Sequence, residues 1–321
     1  MNAPTRSDIS AAYQRIAPYL RRTPCMQVDL NGTRCELKLE LLQVSGTFKA
    51  RGAFARLTRA LQEPEEARQL QSAGIVAASG GNHGIAVALA AKTLGLKATI
   101  FLPQTSPAAK VNKLKSLGAT VQQHGEVFAQ AYAKSQEFAQ ASGALQSHAY
   151  DHPDTLAGQG TLALEWEQQC AQGSANPVDT ILVAVGGGGL IGGICAWWGG
   201  RVKIVAVESE GCPTLNRALA AGQPVDVAVS GLAADSLGAT RVGGLMFPLA
   251  LQHVGQSVLV SDAVIRAAQS ECWNSMRLMV EPGGAAALAA LRSGAYVPSA
   301  GERVGVLMCG SNVDPGSVVG K

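Results

Sequence analysis

The chain has 321 residues and lacks several features that would assign it to a particular class of protein. Its apolar stretches fall well short of the ~20 residues that a membrane-spanning helix needs. Met1–Asp8 is polar, so we expect no signal peptide. The net charge is +3 and no basic cluster is present, so we expect neither nucleic acid nor a membrane as a partner. Hydrophobic residues make up 47% and charged residues 15%, a balance typical of a compact globular protein, which we expect in the cytoplasm.

Cysteine is present but follows no pattern that would indicate a cross-linked or metal-binding protein. The seven cysteines are Cys25, Cys35, Cys170, Cys195, Cys212, Cys272 and Cys309. Their number is odd and no Cys-x-x-Cys pair occurs, which argues against a disulfide framework and against a zinc site. We therefore expect free thiols in a reducing compartment.

The order of the segments predicts an α/β fold of two open lobes. Short β-branched runs alternate with Ala/Leu-rich stretches, which is the pattern of parallel α/β units. The predicted strands fall into two series, at 74–78, 98–102 and 120–123, and at 180–185, 202–207, 257–260 and 304–307. We expect a small domain at 61–145 and a large domain formed by 1–60 and 146–321.

A run of four glycines, Gly186–Gly189, follows the predicted strand Ile181–Val185 and precedes a predicted helix. Glycines let the backbone turn tightly and approach an anion, and a helix N-terminus supplies free N–H groups. The run therefore indicates a phosphate site. The segment 187–192 also has the Gly-x-Gly-x-x-Gly spacing of a dinucleotide site, and Glu208 lies where a ribose-binding acid would be. A nicotinamide-dependent oxidoreductase is the alternative that this segment leaves open.

Lys49 lies in the segment Ser45–Ala53, between an aromatic and a small residue at the start of a predicted helix. A lysine that forms a Schiff base must be partly desolvated or near other cations, and both conditions lower its pKa. Arg51 and an apolar setting can supply them. Composition alone describes an ordinary surface lysine, so this segment does not assign a function by itself.

Two further segments follow predicted strands, where sites in open α/β sheets lie. Ser79–Gly84 offers polar side chains and free N–H groups at a helix start, which suit a carboxylate or a phenolic oxygen. Within it, His83 is either a general base or a structural residue, and we favour the structural role. Cys309–Asn312 follows the last predicted strand; taken alone, Cys309 is more often a small buried hydrophobic residue.

Taken together, these segments resemble the serine/threonine dehydratase and serine racemase family of fold-type II pyridoxal phosphate enzymes. The resemblance covers nearly the whole chain. The motifs that carry it occur in the family's order and are Arg22–Pro24, Thr47–Ala53, Gly81–His83, Gly158–Thr161, Gly186–Leu190, Glu281–Ala285 and Cys309–Asn312. It implies a fold like that of the tryptophan synthase β subunit, with pyridoxal 5′-phosphate in the cleft between two open α/β lobes.

The resemblance also implies roles for individual residues. It assigns catalysis to Lys49 and Ser79. The residues that it places against the cofactor are Phe48, Lys49, Asn82, Gly186, Gly187, Gly188, Gly189, Gly231, Glu281 and Cys309. Those that it places around the substrate are Ser79, Gly80, Gly81, Asn82 and His83.

The reaction implied is the dehydration of a β-hydroxy amino acid such as L-threonine or L-serine to a 2-oxo acid and ammonia. Lys49 is expected to hold the cofactor and to remove the Cα proton. Cys309 is expected to face the pyridine nitrogen, where a thiol leaves the ring largely neutral and favours loss of the β-hydroxyl over transamination. The partner is then a small-molecule amino acid, and we expect a monomer or a homodimer.

Three departures from the family pattern bear on this expectation. Racemases of the family have a second serine where this chain has Gly80, and glycine has no proton to give, which disfavours serine racemase as the alternative. Gly80 and Gly81 enlarge the substrate loop, which predicts room for a bulky substrate of the phenylserine type. Glu208 matches the family's cation site, but Cys212 and Thr214 leave it one carboxylate, so we expect a monovalent ion or none rather than a divalent one.

Overall fold

A computed structural model describes residues 2–30 and 32–318, which form two sheets flanked by helices. The strands are β1 (Cys25–Leu30), β2 (Thr33–Lys38), β3 (Ile75–Ala78), β4 (Ala98–Leu102), β5 (Thr120–Gln123), β6 (Leu145–Gln146), β7 (Thr180–Ala184), β8 (Lys203–Ser209), β9 (Val254–Val260) and β10 (Val304–Leu307). Both sheets are built mainly from parallel strands joined through helices, so the predicted α/β fold is confirmed.

The α-helices occupy the intervals between these strands. They are α1 (Arg6–Ile16), α2 (Lys49–Ala60), α3 (Pro64–Ser72), α4 (Asn82–Thr93), α5 (Ala108–Ser116), α6 (Phe128–Ser142), α7 (Pro153–Ala171), α8 (Gly189–Trp198), α9 (Thr214–Ala221), α10 (Ala234–Leu237), α11 (Phe247–His253), α12 (Asp262–Met276) and α13 (Pro282–Ser293). Side-chain caps define several starts; Ser261 Oγ, for example, accepts a hydrogen bond from Val264 N ahead of α12. Within residues 2–30 and 32–318, no helix combines the length and apolar character needed to cross a bilayer.

The larger sheet has six strands in the order β1-β2-β10-β7-β8-β9. Strands β1 and β2 form an antiparallel hairpin at its edge, and the remaining neighbours pair in parallel. Every residue of β7 and β10 is buried, as expected for parallel strands covered by helices on both faces. We call this sheet and the helices around it the large lobe.

The smaller sheet has four parallel strands in the order β5-β4-β3-β6 and defines the small lobe. It lies between residues 75 and 146, and its edge strand β6 crosses position 145. The domain limits at 61–145 stay a prediction. Strand β3 is fully buried, whereas β5 at the other edge is largely exposed. The small lobe therefore has a thinner core than the large one.

Parallel strands place their carboxyl ends at one edge of a sheet, and ligands of open α/β folds bind there. The end of β3 leads into Ser79, the end of β7 into Gly186, and the end of β10 into Cys309. Helix α2 connects the lobes by packing against both α7 and α4. The fold thereby gathers the segments singled out in the sequence at one cleft.

Candidate active site

A cavity at this cleft is lined by both lobes. Its walls comprise Phe48, Lys49, Asn82, Ala184, Val185, Gly186, Gly187, Gly188, Gly189, Leu190, Ile191, Ser236, Leu237, Glu281, Gly283 and Cys309. Asn82 comes from the small lobe and the others from the large lobe. Residues far apart in the sequence, such as Lys49 and Cys309, which are 260 positions apart, therefore share one cavity.

Lys49 is the first residue of α2, and its side-chain amine lies at the cavity wall. Nζ donates a hydrogen bond to Ala149 O at 2.8 Å and lies 5.0 Å from the centre of the Phe48 ring. Burial lowers the pKa of Lys49 to about 8, although nearby Cys309 and Glu281 act in the opposite direction. A neutral amine, which is the nucleophilic form, is thus accessible near neutral pH.

Arg51 has a different role from the one that the sequence indicated. Its guanidinium turns away from Lys49 and forms ion pairs with Glu40 (Nε to Oε1, 2.6 Å) and Glu165 (Nη2 to Oε2, 3.0 Å). Lys38 donates to the same Glu165 at 2.6 Å, and all four side chains are buried. The low pKa of Lys49 therefore comes from desolvation, and the expectation that Arg51 lowers it was wrong.

This buried ion-pair cluster fixes the start of α2. Removing one member of such a cluster leaves an uncompensated charge in the interior, which is strongly destabilising. The cluster joins β2, the segment after β2, α2 and α7, because Lys38, Glu40, Arg51 and Glu165 each lie on a different one of them. Sequence reasoning missed it because the partners are far apart in the chain.

The loop Gly186–Gly189 presents backbone alone to the cavity. Gly188 has a φ of +87°, in the left-handed region that favours glycine, and a Cβ there would lie 2.5 Å from Met246 Cε. A Cβ at Gly187 would lie 2.6 Å from Tyr150 Cγ, and one at Gly189 would lie 2.8 Å from Tyr150 Cβ. Helix α8 begins at Gly189, so its free N–H groups and positive dipole end face the cavity. This is a cradle for a phosphate that any side chain would obstruct.

Asn82 connects the small lobe to the large one through hydrogen bonds. Its Nδ2 donates to Glu281 Oε1 at 2.7 Å, and its Oδ1 accepts from Asn312 Nδ2 at 2.8 Å. Burial raises the pKa of Glu281 to about 8, and the hydrogen bond from Asn82 lowers it in part. Asn82 thus lies at the cavity wall in a fixed orientation.

The rest of the substrate loop, Ser79–His83, divides into three different settings. Ser79 Oγ accepts a hydrogen bond from Gly81 N at 3.3 Å, which shapes the turn. His83 is buried, with Nε2 at 3.4 Å from Ser147 O, and burial lowers its pKa to about 3. A neutral histidine behind the loop agrees with the structural role that we favoured.

The two glycines of this loop face opposite ways. A Cβ at Gly80 would lie 3.1 Å from Leu102 and 3.7 Å from the Lys110 stem, so the space that Gly80 leaves does not open into the cavity. Gly81 faces the cleft, where the nearest atom to a Cβ would be Asp235 O at 3.9 Å. The prediction that both glycines enlarge the site is therefore wrong for Gly80, because its missing side chain would point into the small lobe.

Cys309 is buried just after β10 and lines the same cavity as the glycine loop. Its Sγ lies 3.5 Å from Gly283 O, and Cys309 O accepts a hydrogen bond from Phe48 N at 3.1 Å. Burial raises the pKa of the Cys309 thiol far above its usual range. The cavity therefore contains a neutral thiol at this position.

The structure does not bring Gly231 to the cavity. Gly231 has a φ of +86°, and a Cβ there would lie 2.5 Å from Asp262 Oδ2 at the start of α12. Ser236 and Leu237, five and six residues further along, line the cavity instead. The resemblance implied a contact of Gly231 with the cofactor, but this stretch consists of irregular turns, which give no periodic signal to fix the position.

Glu208 lies away from the cavity and serves the fold. Its two carboxylate oxygens accept hydrogen bonds from the N–H groups of Leu215 and Asn216, both at 2.7 Å, at the start of α9. Burial raises its pKa to about 7. The described part of the chain contains no group of three or more His, Cys, Asp or Glu side chains that could hold a metal ion. A cation at Glu208 stays a prediction.

These features fit pyridoxal phosphate. The glycine cradle matches its phosphate, the buried Lys49 matches its aldehyde, and the neutral Cys309 thiol and Phe48 ring match a flat heterocycle between them. A nicotinamide cofactor would require Glu208 to bind its ribose, but both Glu208 oxygens already accept hydrogen bonds from the start of α9. The donor set therefore supports the phosphate cofactor and not the dinucleotide.

Comparison with known proteins agrees with this interpretation. Residues 16–310 match the family described as "Pyridoxal-phosphate dependent enzyme". L-threonine dehydratase biosynthetic IlvA of Haemophilus influenzae is 37% identical over 87% of this chain and 53% of its own length. Phenylserine dehydratase of Ralstonia pickettii is 35% identical over 97% of this chain and 94% of its own. Thus the chain spans about half the length of the threonine dehydratase and nearly all of the phenylserine dehydratase.

A solved structure shows the same architecture. Maize serine racemase superposes with a TM-score of 0.90 and 32% identity, covering 98% of this chain and 95% of that one. The resemblance to the fold-type II dehydratases and racemases is confirmed. The chain belongs to the family of pyridoxal-phosphate dependent enzymes, and its cofactor is pyridoxal 5′-phosphate.

Proposed function

We propose that this protein dehydrates a β-hydroxy amino acid to a 2-oxo acid and ammonia, with L-threonine and L-serine as the reference substrates. The observation that carries the proposal is the pairing of Lys49 and Cys309 across one cavity, an amine with a pKa of about 8 and a neutral thiol. The dehydratases among its relatives support this class of reaction. Water leaves the substrate and one water re-enters to release ammonia, so threonine yields 2-oxobutanoate and ammonia.

Lys49 is the group that moves the substrate proton. Bound pyridoxal phosphate supplies the electron withdrawal that makes the Cα–H bond acidic. The Nζ amine, once free of the cofactor, takes the Cα proton, which requires its neutral form. The carbonyl of Ala149 orients this amine at 2.8 Å, and its pKa of about 8 keeps an appreciable neutral fraction near pH 7.

The start of α4 supplies the site for the substrate carboxylate. Ser79, Gly81 and Asn82 form the turn between β3 and α4, and the free N–H groups of a helix start favour an anion. The loop belongs to the small lobe, and Asn82 at its end lines the same cavity as the glycine cradle of the large lobe.

Cys309 decides between elimination and its competitors. A carboxylate at this position would hold a proton on the ring nitrogen, whereas the Cys309 thiol is neutral and donates toward Gly283 O. A neutral thiol would leave the ring nitrogen of bound pyridoxal phosphate without a proton, and the cofactor would then draw less charge from the substrate. Elimination is therefore favoured over transamination.

Serine racemase is the second candidate, because maize serine racemase is among the structural neighbours. Racemisation needs a second proton donor on the face of Cα opposite to Lys49. Position 80 supplies no such donor, because Gly80 has no side chain and a Cβ there would face Leu102, so we place racemisation below dehydration.

The test measures 2-oxo acid formation from L-threonine and L-serine by the holoenzyme and by Lys49→Ala. Loss of the proton-transferring amine is expected to lower turnover by on the order of 10³-fold or more. Lys115→Ala, which removes an exposed lysine of α5, is the matched control and is expected to retain activity. Full activity in Lys49→Ala, or inversion of L-serine without 2-oxo acid from the wild type, would overturn the proposal.

A further inference from the structure

Four aromatic side chains form a continuous line from the cleft to the surface of the small lobe. Phe128 stacks on Tyr132 with ring centres 6.0 Å apart, and Tyr132 meets His148 edge-on at 6.4 Å. His148 meets Tyr150 edge-on at 4.7 Å. We call these four residues the aromatic strip. Phe, Trp and Tyr together make up only 5% of the chain, so a line of adjacent rings at this position calls for a function.

The inner end of the strip borders the active site. The Tyr150 ring packs against Gly187 of the phosphate cradle, and its hydroxyl donates to Arg241 O at 3.1 Å. The neighbouring carbonyl of Ala149 accepts the hydrogen bond from Lys49 Nζ. The strip therefore starts one residue from the contact that orients the proton-transferring amine.

The middle of the strip is an uncharged surface. His148 Nδ1 accepts hydrogen bonds from the backbone N–H groups of Tyr150 (3.3 Å) and Asp151 (2.8 Å), which fixes the ring. Burial lowers the pKa of His148, so the ring is neutral at pH 7. A fixed neutral imidazole between two tyrosines presents the edges and faces that aromatic partners prefer.

The outer end of the strip is open. Phe128 is 57% exposed and Tyr132 is half-buried, so these rings are not simply part of the protein core. They lie at the start of α6 on the small lobe, whereas Tyr150 packs on the large lobe. An apolar substituent of the substrate that extends between the lobes would meet rings from both sides.

We infer that the aromatic strip receives an aromatic substituent on Cβ, so that the preferred substrate is a β-aryl-β-hydroxy amino acid such as phenylserine. This inference rests on the proposed dehydration and specifies its substrate. Stacked and edge-on contacts favour an aryl group beyond the area that it buries. The methyl group of threonine is too small to reach the outer rings, and serine has no group beyond its hydroxyl.

The experiment compares kcat/KM for L-threo-phenylserine and L-threonine in the holoenzyme. We expect the wild type to prefer phenylserine by about 10-fold or more, because an aryl group can pack against several rings of the strip and a methyl group cannot. Phe128→Ala and Tyr132→Leu are expected to lower the ratio of the two kcat/KM values by about 3- to 10-fold. Tyr132→Leu keeps apolar volume where the ring also packs on the small-lobe core, which protects the fold.

Val127→Ala is the matched control, because Val127 is 56% exposed beside Phe128 but is not part of the strip. The ratio of kcat/KM for phenylserine to kcat/KM for threonine in Val127→Ala is expected to equal that of the wild type. Equal kcat/KM values for threonine and phenylserine in the wild type would overturn the inference while the proposed function stands. The same holds if Phe128→Ala and Tyr132→Leu leave the ratio of the two kcat/KM values unchanged. A change of oligomeric state in Phe128→Ala with an unchanged ratio would also overturn it, since the strip would then be an interface. Formation of no 2-oxo acid from either substrate would instead count against the proposed function.

Discussion

Two loops of the same topology lead to the cleft, one from each lobe, yet they differ in composition and packing. Gly186–Gly189 joins β7 to α8 in the large lobe, and Ser79–Gly81 joins β3 to α4 in the small lobe. Each follows a fully buried parallel strand and ends at a helix N-terminus. The first loop has no side chains, whereas the second carries a serine and leads directly into Asn82.

Their surroundings differ as much as their sequences. Around Gly187, Gly188 and Gly189 a Cβ would overlap Tyr150 or Met246, so neighbouring side chains fix the shape of the cradle. At Gly81 the nearest atom to a Cβ would be 3.9 Å away. A phosphate, which is the same for every substrate, is therefore held by a closed backbone surface. The variable ligand is met by an open loop that leads into Asn82, whose side chain forms hydrogen bonds to the large lobe.

The largest effect is expected when one methyl group is added to each loop. Gly187→Ala forces the new Cβ into the Tyr150 ring, and overpacking of this kind costs ~1–3 kcal/mol, which corresponds to roughly 5- to 150-fold in affinity. We expect weaker pyridoxal phosphate binding by that factor, measured by titration of the apo protein. Gly81→Ala is the matched control and is expected to stay within about twofold of the wild type, because its Cβ has space. Equal effects at the two positions would show that the loops do not differ in this way.

The second prediction concerns the hydrogen bonds of the open loop. Asn82→Ala removes the donor to Glu281 and the acceptor for Asn312, and each of these hydrogen bonds between neutral groups contributes about 0.5–1.5 kcal/mol. We expect cofactor binding to weaken by roughly 10-fold or more. Ser79→Ala is the comparison, since Ser79 Oγ has a single 3.3 Å bond to Gly81 N, and its cofactor affinity is expected to change less. An unchanged affinity in Asn82→Ala would mean that the open loop does not position the cofactor.

The third and smallest effect is a dependence of stability on pH that originates at Glu281. Burial raises its pKa in the folded protein to about 8 from the ordinary value of 4.5. The folded state therefore keeps a proton that the unfolded state releases, so the free energy of unfolding falls as pH rises between these values. Glu281→Gln cannot titrate but keeps an oxygen for Asn82, so we expect it to lose this fall.

The measurement is urea unfolding of the apo proteins at pH 6 and pH 8. The difference in the free energy of unfolding between the wild type and Glu281→Gln is expected to change by on the order of 1 kcal/mol between pH 6 and pH 8. Groups common to both proteins, such as Glu208, cancel in the comparison. A parallel pH dependence in the two proteins would contradict the assignment of the buried proton to Glu281.

Several parts of the site could be predicted from the sequence because they are local. The run Gly186–Gly189 between a strand and a helix specifies an anion site within a few residues, and it lies at the cavity. Lys49 could be recognised only together with the other segments, and the structure places it on the same cavity wall. Sites in open α/β folds lie at the carboxyl ends of the strands, so the segments after β3, β7 and β10 were expected to meet.

Other parts could not be predicted because their cause lies in distant residues. The direction of Arg51 depends on Glu165, which is more than 100 positions away, and the ion pair turns the guanidinium from Lys49. The orientation of Gly80 depends on Leu102 and Lys110 packed beside it. Gly231 was placed at the cofactor although Asp262 holds its turn elsewhere. Each of these errors concerns the direction in which a residue points, and that direction is determined by neighbours that are distant in the sequence.

Local sequence was enough to specify the alternation of strands and helices, the glycine cradle, and the presence of a lysine, a thiol and an amide at particular places along the chain. These depend on backbone preferences and on periodicity, which act over short stretches. The folded structure was needed to establish that the pKa of Lys49 falls through burial, that Glu208 serves α9, and that four aromatic rings align beside the cleft. Desolvation and packing depend on the whole surroundings of a side chain, and those surroundings exist only in the folded chain.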